Sequence, residues 1–277
     1  MEPLELKRFN HRVGEIEWYC ELRGSGPTIV LIPSGEGDCA NFEMVARALA
    51  DEFTVLTFDT PGFSRSSAPL DSISALLLAR QIAALVTSLD LAPATFYGCS
   101  SGGIAALSLA ADHPEIVRTV IVHEAALVKD TAWPEAGRAR FAQLSTLDDD
   151  SIVRACKEWF RTGMNSNPAA WDALGADYHR RLEKNYVTWV RQYGRASDAF
   201  PSYGRDELTR RPIAWSIGGF SEVHFAVSNL RVAQRANIDV EILPCKHFPQ
   251  VEIPDVLSSH VRKHAKQNLS QTERAPQ

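Results

Sequence analysis

A serine flanked by glycines, in Gly98-Cys99-Ser100-Ser101-Gly102, lies where an apolar stretch meets a helical pattern. A Gly-x-Ser-x-Gly turn between a strand and a helix holds its serine in a strained conformation that exposes the Oγ atom. The backbone N–H of the next residue, Ser101, then points at the oxygen anion that forms when the serine attacks a carbonyl carbon. We predict that Ser100 is a nucleophile and Ser101 an oxyanion donor. The alternative is that these small residues only allow a strand and a helix to pack closely.

A serine hydroxyl needs a base that takes its proton, and a histidine most often fills that role. His247 directly follows the predicted strand "VEILP" and precedes the last predicted helix. Because parallel sheets bind ligands at the C-terminal ends of their strands, we predict that His247 is the base. The other histidines lack this combination of positions; they are His11, His113, His123, His179, His224, His260 and His264.

Three carboxylates are candidates for the acid that orients this histidine. Glu124 directly follows the strand "VRTVIVH", Glu222 lies a few residues past "IAWSIG", and Asp59 follows "FTVLTF". An Asp before Thr-Pro-Gly is typical of a residue that caps its own turn, which disfavours Asp59. We favour Glu124 over Glu222, because a residue one position past a strand is held more firmly than a residue in a loop.

A second oxyanion donor is expected from the loop "PSGEG", residues 33–37, which follows the apolar strand "TIVLI". Its glycines allow a backbone N–H to face the site, and we predict Gly35 as the donor. If the predicted position of the donor is wrong by one residue, Ser34 or Glu36 is the donor instead. Both residues are also candidates for substrate contact. An ordinary glycine-rich turn is less favoured, because the preceding strand is expected to lie beside the strand that carries Ser100.

Strands and helices alternate along much of the chain, which predicts an α/β fold with a mostly parallel twisted sheet flanked by helices. Apolar strands such as "FTVLTF" and "ATFYG" alternate with helical patterns at 41–50 and 73–90. Residues 15–32 predict a hairpin, in which "EIEWYCEL" and "TIVLI" flank the turn "RGSGP".

The alternation stops after Glu124 and resumes near residue 211. Between these points the sequence is helical and rich in aromatic residues. We therefore expect a core domain of residues 1–126 and 211–267, with a helical cap of residues 127–210 inserted in it. The last helix is predicted at about 254–267, and the polar residues 268–277 are expected to be a disordered tail.

Composition excludes several classes of function. A net charge of −5 over 277 residues argues against nucleic-acid binding, which needs a basic surface. The charged N-terminus lacks an apolar signal core, and no segment is long enough to span a membrane. Five scattered cysteines are typical of reduced thiols. We expect a cytoplasmic protein that acts on a small molecule without a metal or organic cofactor, and the sequence leaves its oligomeric state open.

Taken together, these motifs resemble the α/β-hydrolases, and more narrowly the fungal zearalenone hydrolases, which open the macrocyclic lactone of a resorcylic-acid mycotoxin. The resemblance runs nearly end to end. The matching stretches are "TFDTPGFSRS" (57–66), "YGCSSG" (97–102), "VHE" (122–124), "AWDALG" (170–175), "RLEKNYVTWVRQY" (181–193) and "LPCKHFPQVEIPDV" (243–256).

The resemblance implies the α/β-hydrolase fold and a catalytic set with its oxyanion donors, namely Ser100, Glu124, His247, Ser101 and Gly35. It therefore supports Glu124 over Glu222. The chain departs from the family at Ser34 and Glu36, where the family carries an Asp and an apolar residue, and at Ala126, where it carries a proline. These departures leave the chemistry intact and bear on the fit of the substrate.

The resemblance also implies that Trp189, in the predicted cap, contacts the substrate. Aromatic residues recur there at helical spacing, and most such stripes form a core. A cap placed over the strand ends must nevertheless face the catalytic serine, and Trp159 and Tyr193 are further candidates for that surface. An apolar, aromatic-lined cleft suits a hydrophobic ester and excludes water.

The predicted function is a serine hydrolase that opens a hydrophobic macrocyclic lactone, such as zearalenone, through an acyl-enzyme. One alternative is a general carboxylesterase that acts on smaller hydrophobic esters. Another is a ligand sensor with this fold and very slow turnover.

Overall fold

Eight strands form one sheet in the computed structural model, which describes residues 5–68, 73–127, 142–192 and 201–272. The strands are β1 (Lys7–Val13), β2 (Ile16–Arg23), β3 (Thr28–Ile32), β4 (Thr54–Phe58), β5 (Ala94–Cys99), β6 (Val117–His123), β7 (Ile213–Gly218) and β8 (Val240–Leu243). Their order across the sheet is β1-β2-β4-β3-β5-β6-β7-β8. β2 is antiparallel to both of its neighbours, and the other neighbouring strands are parallel. The predicted α/β class with a mostly parallel sheet is confirmed.

The predicted hairpin of residues 15–32 was wrong. β2 pairs with β1 and β4, with Cys20 opposite Phe58, whereas β3 pairs with β4 and β5. β3 is buried along its whole length, so it suits a central position between parallel strands. β2 has three buried residues and five partly exposed ones, which suits a strand near the edge of a sheet.

Helices pack on both faces of the sheet. They are α1 (Glu43–Leu49), α2 (Ala75–Ser88), α3 (Ser101–Asp112), α4 (Asp149–Glu158), α5 (Pro168–Asp172), α6 (Ala176–Arg191), α7 (Arg205–Leu208), α8 (Val223–Gln234), α9 (Pro249–Glu252) and α10 (Pro254–Thr272). Val30 of β3 packs in the same core cluster as α2, α3 and α8, whereas Leu31 packs in the cluster that contains α1 and α10. Within the described ranges, no helix is both long enough and apolar enough to cross a membrane.

Between β6 and β7, the described residues 142–192 and 201–210 form helices and no strand. α4 continues into a π-helical turn, Trp159–Gly163, and α5 and α6 follow. A third apolar cluster joins this segment to the core through Phe160, Trp171 and Phe248. The division of the chain at residues 127 and 210 stays a prediction.

The last helix is longer than predicted. It continues to Thr272, so residues 268–272 do not form the expected tail, and residues 273–277 lie outside the described part of the chain. The Asn268 amide donates a hydrogen bond to Thr119 Oγ1 at 3.2 Å, and Leu269 packs against the core. These contacts stabilise a helical turn that the polar composition alone does not predict.

Candidate active site

Ser100 lies at the sharp turn between β5 and α3. Its φ and ψ angles are 56° and −122°, a conformation that costs a serine free energy and persists only where the surroundings enforce it. A Cβ atom at Gly98 would collide with the Gly102 carbonyl, and one at Gly102 would lie 2.6 Å from the Pro33 carbonyl oxygen. Both positions therefore need glycine. Ser101 begins α3, so its N–H belongs to the first helical turn, where backbone donors lack intrahelical acceptors.

Glu124 and His247 form a buried hydrogen-bonded pair. The Glu124 Oε2 atom lies 2.7 Å from His247 Nδ1, and both side chains are almost completely buried. The carboxylate also accepts hydrogen bonds from the Gly218 N–H at 2.8 Å and the Ser221 hydroxyl at 2.9 Å. Burial raises the pKa of Glu124, but the hydrogen bond from His247 and the nearby imidazoles outweigh it and hold the pKa below its ordinary value. The carboxylate is thus ionised and fixes the imidazole with Nδ1–H as donor.

His247 is held in place from several sides. Its backbone N–H donates to the Met164 carbonyl at 3.1 Å, and its carbonyl accepts from the Cys99 thiol at 3.0 Å. The Phe225 ring lies against the imidazole, with centroids 4.4 Å apart. Its Nε2 atom is buried and has no hydrogen-bond partner among the described residues, so this nitrogen is available to accept a proton. Because Cys99 precedes Ser100, the backbone of the histidine loop meets the serine turn directly.

The other two acid candidates have different partners. The Glu222 side chain is exposed and lies 3.3 Å from His224 Nδ1. Asp59 is buried and accepts hydrogen bonds from the Cys39 N–H at 2.9 Å and the Arg65 guanidinium at 2.6 Å. Of the three carboxylates, Glu124 is the one whose described contacts include His247.

The loop of residues 33–37 is braced by its own side chains. The Ser34 hydroxyl donates to the Glu36 carboxylate, and the Asn41 amide donates to the same carboxylate at 2.6 Å. Glu36 is fully buried, and this burial raises its pKa. Ser34 is also buried, so neither side chain faces an open surface. Substrate contact by these two residues stays a prediction, whereas their support of the loop is a structural finding.

Trp189 of α6 covers the predicted oxyanion residue. A Cβ atom at Gly35 would lie 2.6 Å from the Trp189 Nε1 atom, so the indole sits directly on this glycine. Trp159 lies beside it, with ring centroids 5.7 Å apart, and both tryptophans are partly exposed. The structure thus brings Gly35, Trp189 and Trp159 together, while Tyr193 lies outside the described residues.

Arg181 and Asn185 of α6 were not among the residues predicted from the sequence. They lie on the helix face that carries Trp189 and bind the loops around the site. Arg181, Asn185 and Trp189 are spaced by four residues and therefore share one face. The Asn185 amide group donates to the Glu36 carbonyl and to the Ser64 hydroxyl, each at 2.7 Å, and accepts from the Ser64 N–H at 2.9 Å. The four-residue spacing is visible in "RLEKNYVTW", so the sequence alone could have indicated that these residues share one helix face.

Arg181 makes the second connection. Its guanidinium Nε lies 2.6 Å from Asp38 Oδ2 and its Nη2 lies 3.1 Å from Oδ1, and the Asp38 side chain is fully buried. The Ser64 hydroxyl donates to the same carboxylate at 2.7 Å. Burial raises the pKa of Asp38, but the hydrogen bonds from Arg181 and Ser64 outweigh it and lower the pKa below its ordinary value.

A cluster with metal-ligating donor atoms exists among the described residues, but it lies elsewhere. It consists of Glu241, His260 and His264, on β8 and α10, and shares no residue with the site around Ser100. The groups described around Ser100, a hydroxyl at a strained turn, a buried carboxylate–imidazole pair and the N-terminus of α3, are those that nucleophilic acyl transfer uses.

Comparison with known proteins relates the chain to enzymes with this architecture. Residues 27–162 match the family model described as the alpha/beta hydrolase fold. The chain is 32% identical over 260 residues to a zearalenone hydrolase of Bionectria ochroleuca, covering 92% of this chain and 96% of that protein. It is 34% identical over 266 residues to a zearalenone hydrolase of Cladophialophora bantiana, covering 94% of this chain and 97% of that protein.

Solved structures show the same fold at lower identity. The crystal structure of an enol-lactonase from Burkholderia xenovorans LB400 superposes with a TM-score of 0.73 at 21% identity, covering 92% of this chain and 98% of that one. A putative lipase from Acinetobacter baumannii gives a TM-score of 0.77 at 19% identity, covering 96% and 93%. These similarities confirm the α/β-hydrolase fold that the sequence predicted.

Proposed function

The chain belongs to the zearalenone hydrolase family of α/β-hydrolases, and we propose that it opens the ester bond of a hydrophobic macrocyclic lactone, zearalenone or a related resorcylic acid lactone. The strongest support is the 2.7 Å hydrogen bond between buried Glu124 and His247. The Cys99 thiol donates to the His247 carbonyl at 3.0 Å, so the histidine loop meets the strained turn that carries Ser100. His247 Nε2 has no hydrogen-bond partner among the described residues, and we propose that it takes the Ser100 proton and so completes a Ser-His-Glu triad.

In the first step, Ser100 Oγ attacks the lactone carbonyl carbon while His247 Nε2 takes the hydroxyl proton. Glu124 holds the imidazole in the required tautomer and stabilises the imidazolium that forms. The carbonyl oxygen becomes an anion that accepts hydrogen bonds from the N–H groups of Ser101 and Gly35. Each such donor contributes about 3–4 kcal/mol to transition-state stabilisation in comparable enzymes.

The tetrahedral intermediate then collapses. The bond between the carbonyl carbon and the ring oxygen breaks, and the imidazolium of His247 gives its proton to the leaving alkoxide. Because the substrate is a ring, the new alcohol stays attached to the acyl-enzyme. A water molecule, deprotonated by the same imidazole, attacks the acyl carbon, releases the hydroxy acid and restores Ser100.

The residues around Gly35 favour a large apolar substrate. Trp189 lies on Gly35, Trp159 stacks beside Trp189, and the Phe160 ring meets Trp189 edge-on with centroids 5.7 Å apart. We assign residues 127–210 as a cap, and its described helices of residues 142–192 would place these rings over the strand ends. An aromatic macrocycle would bury its ring system against such a surface and exclude water from the developing charge.

Turnover of zearalenone and of p-nitrophenyl acetate by the purified protein tests the proposal, with product masses measured by liquid chromatography and mass spectrometry. We expect the lactone to gain the mass of one water molecule and kcat/KM to be higher for the lactone. Rapid acetate cleavage without lactone opening would indicate a general carboxylesterase. Tight lactone binding with negligible turnover of both compounds would indicate a sensor. The Ser100→Ala variant is the control for background hydrolysis.

A further inference from the structure

Three side chains with metal-binding donor atoms converge on the surface formed by β8 and α10. His260 and His264 are separated by four residues of α10 and therefore share one face of the helix. Glu241 of β8 lies opposite them, with Oε1 at 2.8 Å from His264 Nε2 and Oε2 at 3.5 Å from His260 Nδ1. One donor atom from each residue lies within 4.8 Å of the other two.

We propose that Glu241, His260 and His264 form a binding site for a divalent transition metal ion of the zinc type. The site is separate from Ser100 and does not depend on the function proposed above. No metal is expected in the reaction at Ser100, and the proposed ligands share no residue with that site.

The donor set suits zinc. Zinc–nitrogen and zinc–oxygen bonds of about 2.0–2.1 Å in a tetrahedral site place neighbouring donor atoms about 3.3 Å apart. One donor atom from each of the three residues already lies within 4.8 Å of the other two, so small rotations of the side chains would bring the donor atoms to that separation. Two histidines and one carboxylate leave a fourth position for water, an arrangement that known zinc sites use.

The hydrogen bonding of His260 is incomplete without a metal. The side chain is almost fully buried, its Nδ1 atom is 3.5 Å from the nearest Glu241 oxygen, and its Nε2 atom has no hydrogen-bond partner among the described residues. Leaving a buried polar group without a good partner costs about 1–3 kcal/mol. A metal ion bound at Nδ1 would replace the long contact of this nitrogen with Glu241 by a metal–nitrogen bond, while the Nε2 atom on the other side of the ring would keep its present surroundings.

Lys263 is the group that competes with the metal ion. Its Nζ atom lies 2.9 Å from Glu241 Oε1, and about half of the lysine side chain is exposed. An exposed ion pair of this kind contributes only about 0.2–1 kcal/mol, so the ammonium group can be displaced into solvent. Replacement of Lys263 by an uncharged residue should therefore strengthen metal binding, which a purely structural ion-pair network would not do.

Metal binding here would link the two elements on either side of the histidine loop. β8 ends at Leu243, residues 244–248 carry His247, and α10 begins at Pro254. An ion held by one ligand from β8 and two from α10 would fasten the strand to the helix. Because the metal binds the folded chain and not the unfolded one, it should raise the melting temperature.

The experiment is calorimetric titration of the full chain with ZnSO4 after treatment with a chelator and its removal. We expect one zinc ion per chain and a rise in melting temperature. His264→Ala and Glu241→Gln should each weaken binding by at least about tenfold, since changes outside the ligand shell already cost about 10–100-fold. The His11→Ala variant, which changes a histidine far along the chain from the cluster, should bind like the unaltered protein.

Lys263→Met should bind zinc about two- to fivefold more tightly, as expected from the loss of a competing exposed ion pair. His264 is used in preference to the more buried His260, and circular dichroism of each variant checks that it is folded. Absence of saturable binding would overturn the proposal. Unchanged affinity in folded His264→Ala, or binding by Lys263→Met that is no tighter than in the unaltered protein, would also overturn it.

Discussion

Replacement of Asn185 by alanine tests whether α6 positions the loop that carries Gly35. The Asn185 side chain makes three hydrogen bonds, to the Glu36 carbonyl, the Ser64 hydroxyl and the Ser64 N–H, at distances of 2.7, 2.7 and 2.9 Å. Asn185→Ala removes all three and leaves two backbone groups without these partners. The next helical turn on the same face carries Trp189, which lies on Gly35.

The magnitude of the effect follows from the burial of these groups. The bond to the Glu36 carbonyl is buried, and a buried polar group that loses its partner costs about 1–3 kcal/mol. The Ser64 N–H is half-buried and loses less, so we expect the free energy of unfolding to fall by about 2–4 kcal/mol. If loosening of the loop removes about 1.4 kcal/mol of the roughly 3–4 kcal/mol that one oxyanion donor contributes, kcat falls about tenfold.

Urea denaturation measures the first quantity, and steady-state hydrolysis of the better substrate measures the second. Lys184→Ala is the matched control, because Lys184 is the preceding residue of α6 and is exposed. We expect this control to unfold and to react like the unaltered protein. A role of Asn185 in positioning the loop is excluded if Asn185→Ala matches Lys184→Ala in both measurements, or if its KM rises while kcat stays unchanged.

Further predictions concern the acid, the nucleophile and the pH dependence of stability. Ser100→Ala should lose hydrolysis in the chromatographic assay yet keep its melting temperature, and appreciable remaining turnover would exclude Ser100 as the nucleophile. Glu124→Gln should lower kcat by about 10⁴-fold, as the equivalent change does in serine proteases, while Glu222→Gln should change kcat little; a larger loss for the latter variant would contradict the choice of acid. Burial lowers the pKa of His260 to about 4 in the folded chain against about 6.5 when unfolded, so its contribution to stability is full above pH 6.5 and is lost as the pH falls toward 4. We measure urea denaturation with a chelator present at pH 7 and at pH 4.5. Between these pH values the free energy of unfolding should fall by about 2 kcal/mol less in His260→Gln than in the unaltered protein, and parallel pH profiles of the two proteins would contradict this.

The features that sequence predicted best are those set by neighbouring residues. The strand, tight turn and helix around Ser100 are encoded within a dozen positions, and the strand ends before Glu124 and His247 are encoded in the same local way. The hairpin was mispredicted because strand pairing is not local. β2 pairs with β4, which follows it in the chain only after β3 and α1, and no turn signal in the sequence indicates that pairing.

Contacts between distant segments could not be predicted from the sequence either. Arg181 and Asn185 reach Asp38 and the Glu36 carbonyl across more than 140 residues, and periodicity indicates only that the two residues share a helix face. Likewise, the spacing of His260 and His264 was visible, but the position of Glu241 beside them depends on how α10 packs against the edge of the sheet. Residue types limited the chemistry in each case, and the tertiary packing determined the partners.

The bidentate ion pair between Arg181 and buried Asp38 has a consequence for how a ligand can be exchanged. Separating α6 from the core would break this ion pair and leave the buried Asp38 carboxylate with Arg65, 3.5 Å away, as its remaining cation. It would also remove the hydrogen bonds of Asn185 to the Glu36 carbonyl and to Ser64, and a buried polar group that loses its partner costs about 1–3 kcal/mol. Conformations with α6 detached are therefore a small minority. We therefore expect substrate to arrive and product to depart past side chains at the rim of the cleft, with α6 and its tryptophan remaining stationary throughout the catalytic cycle.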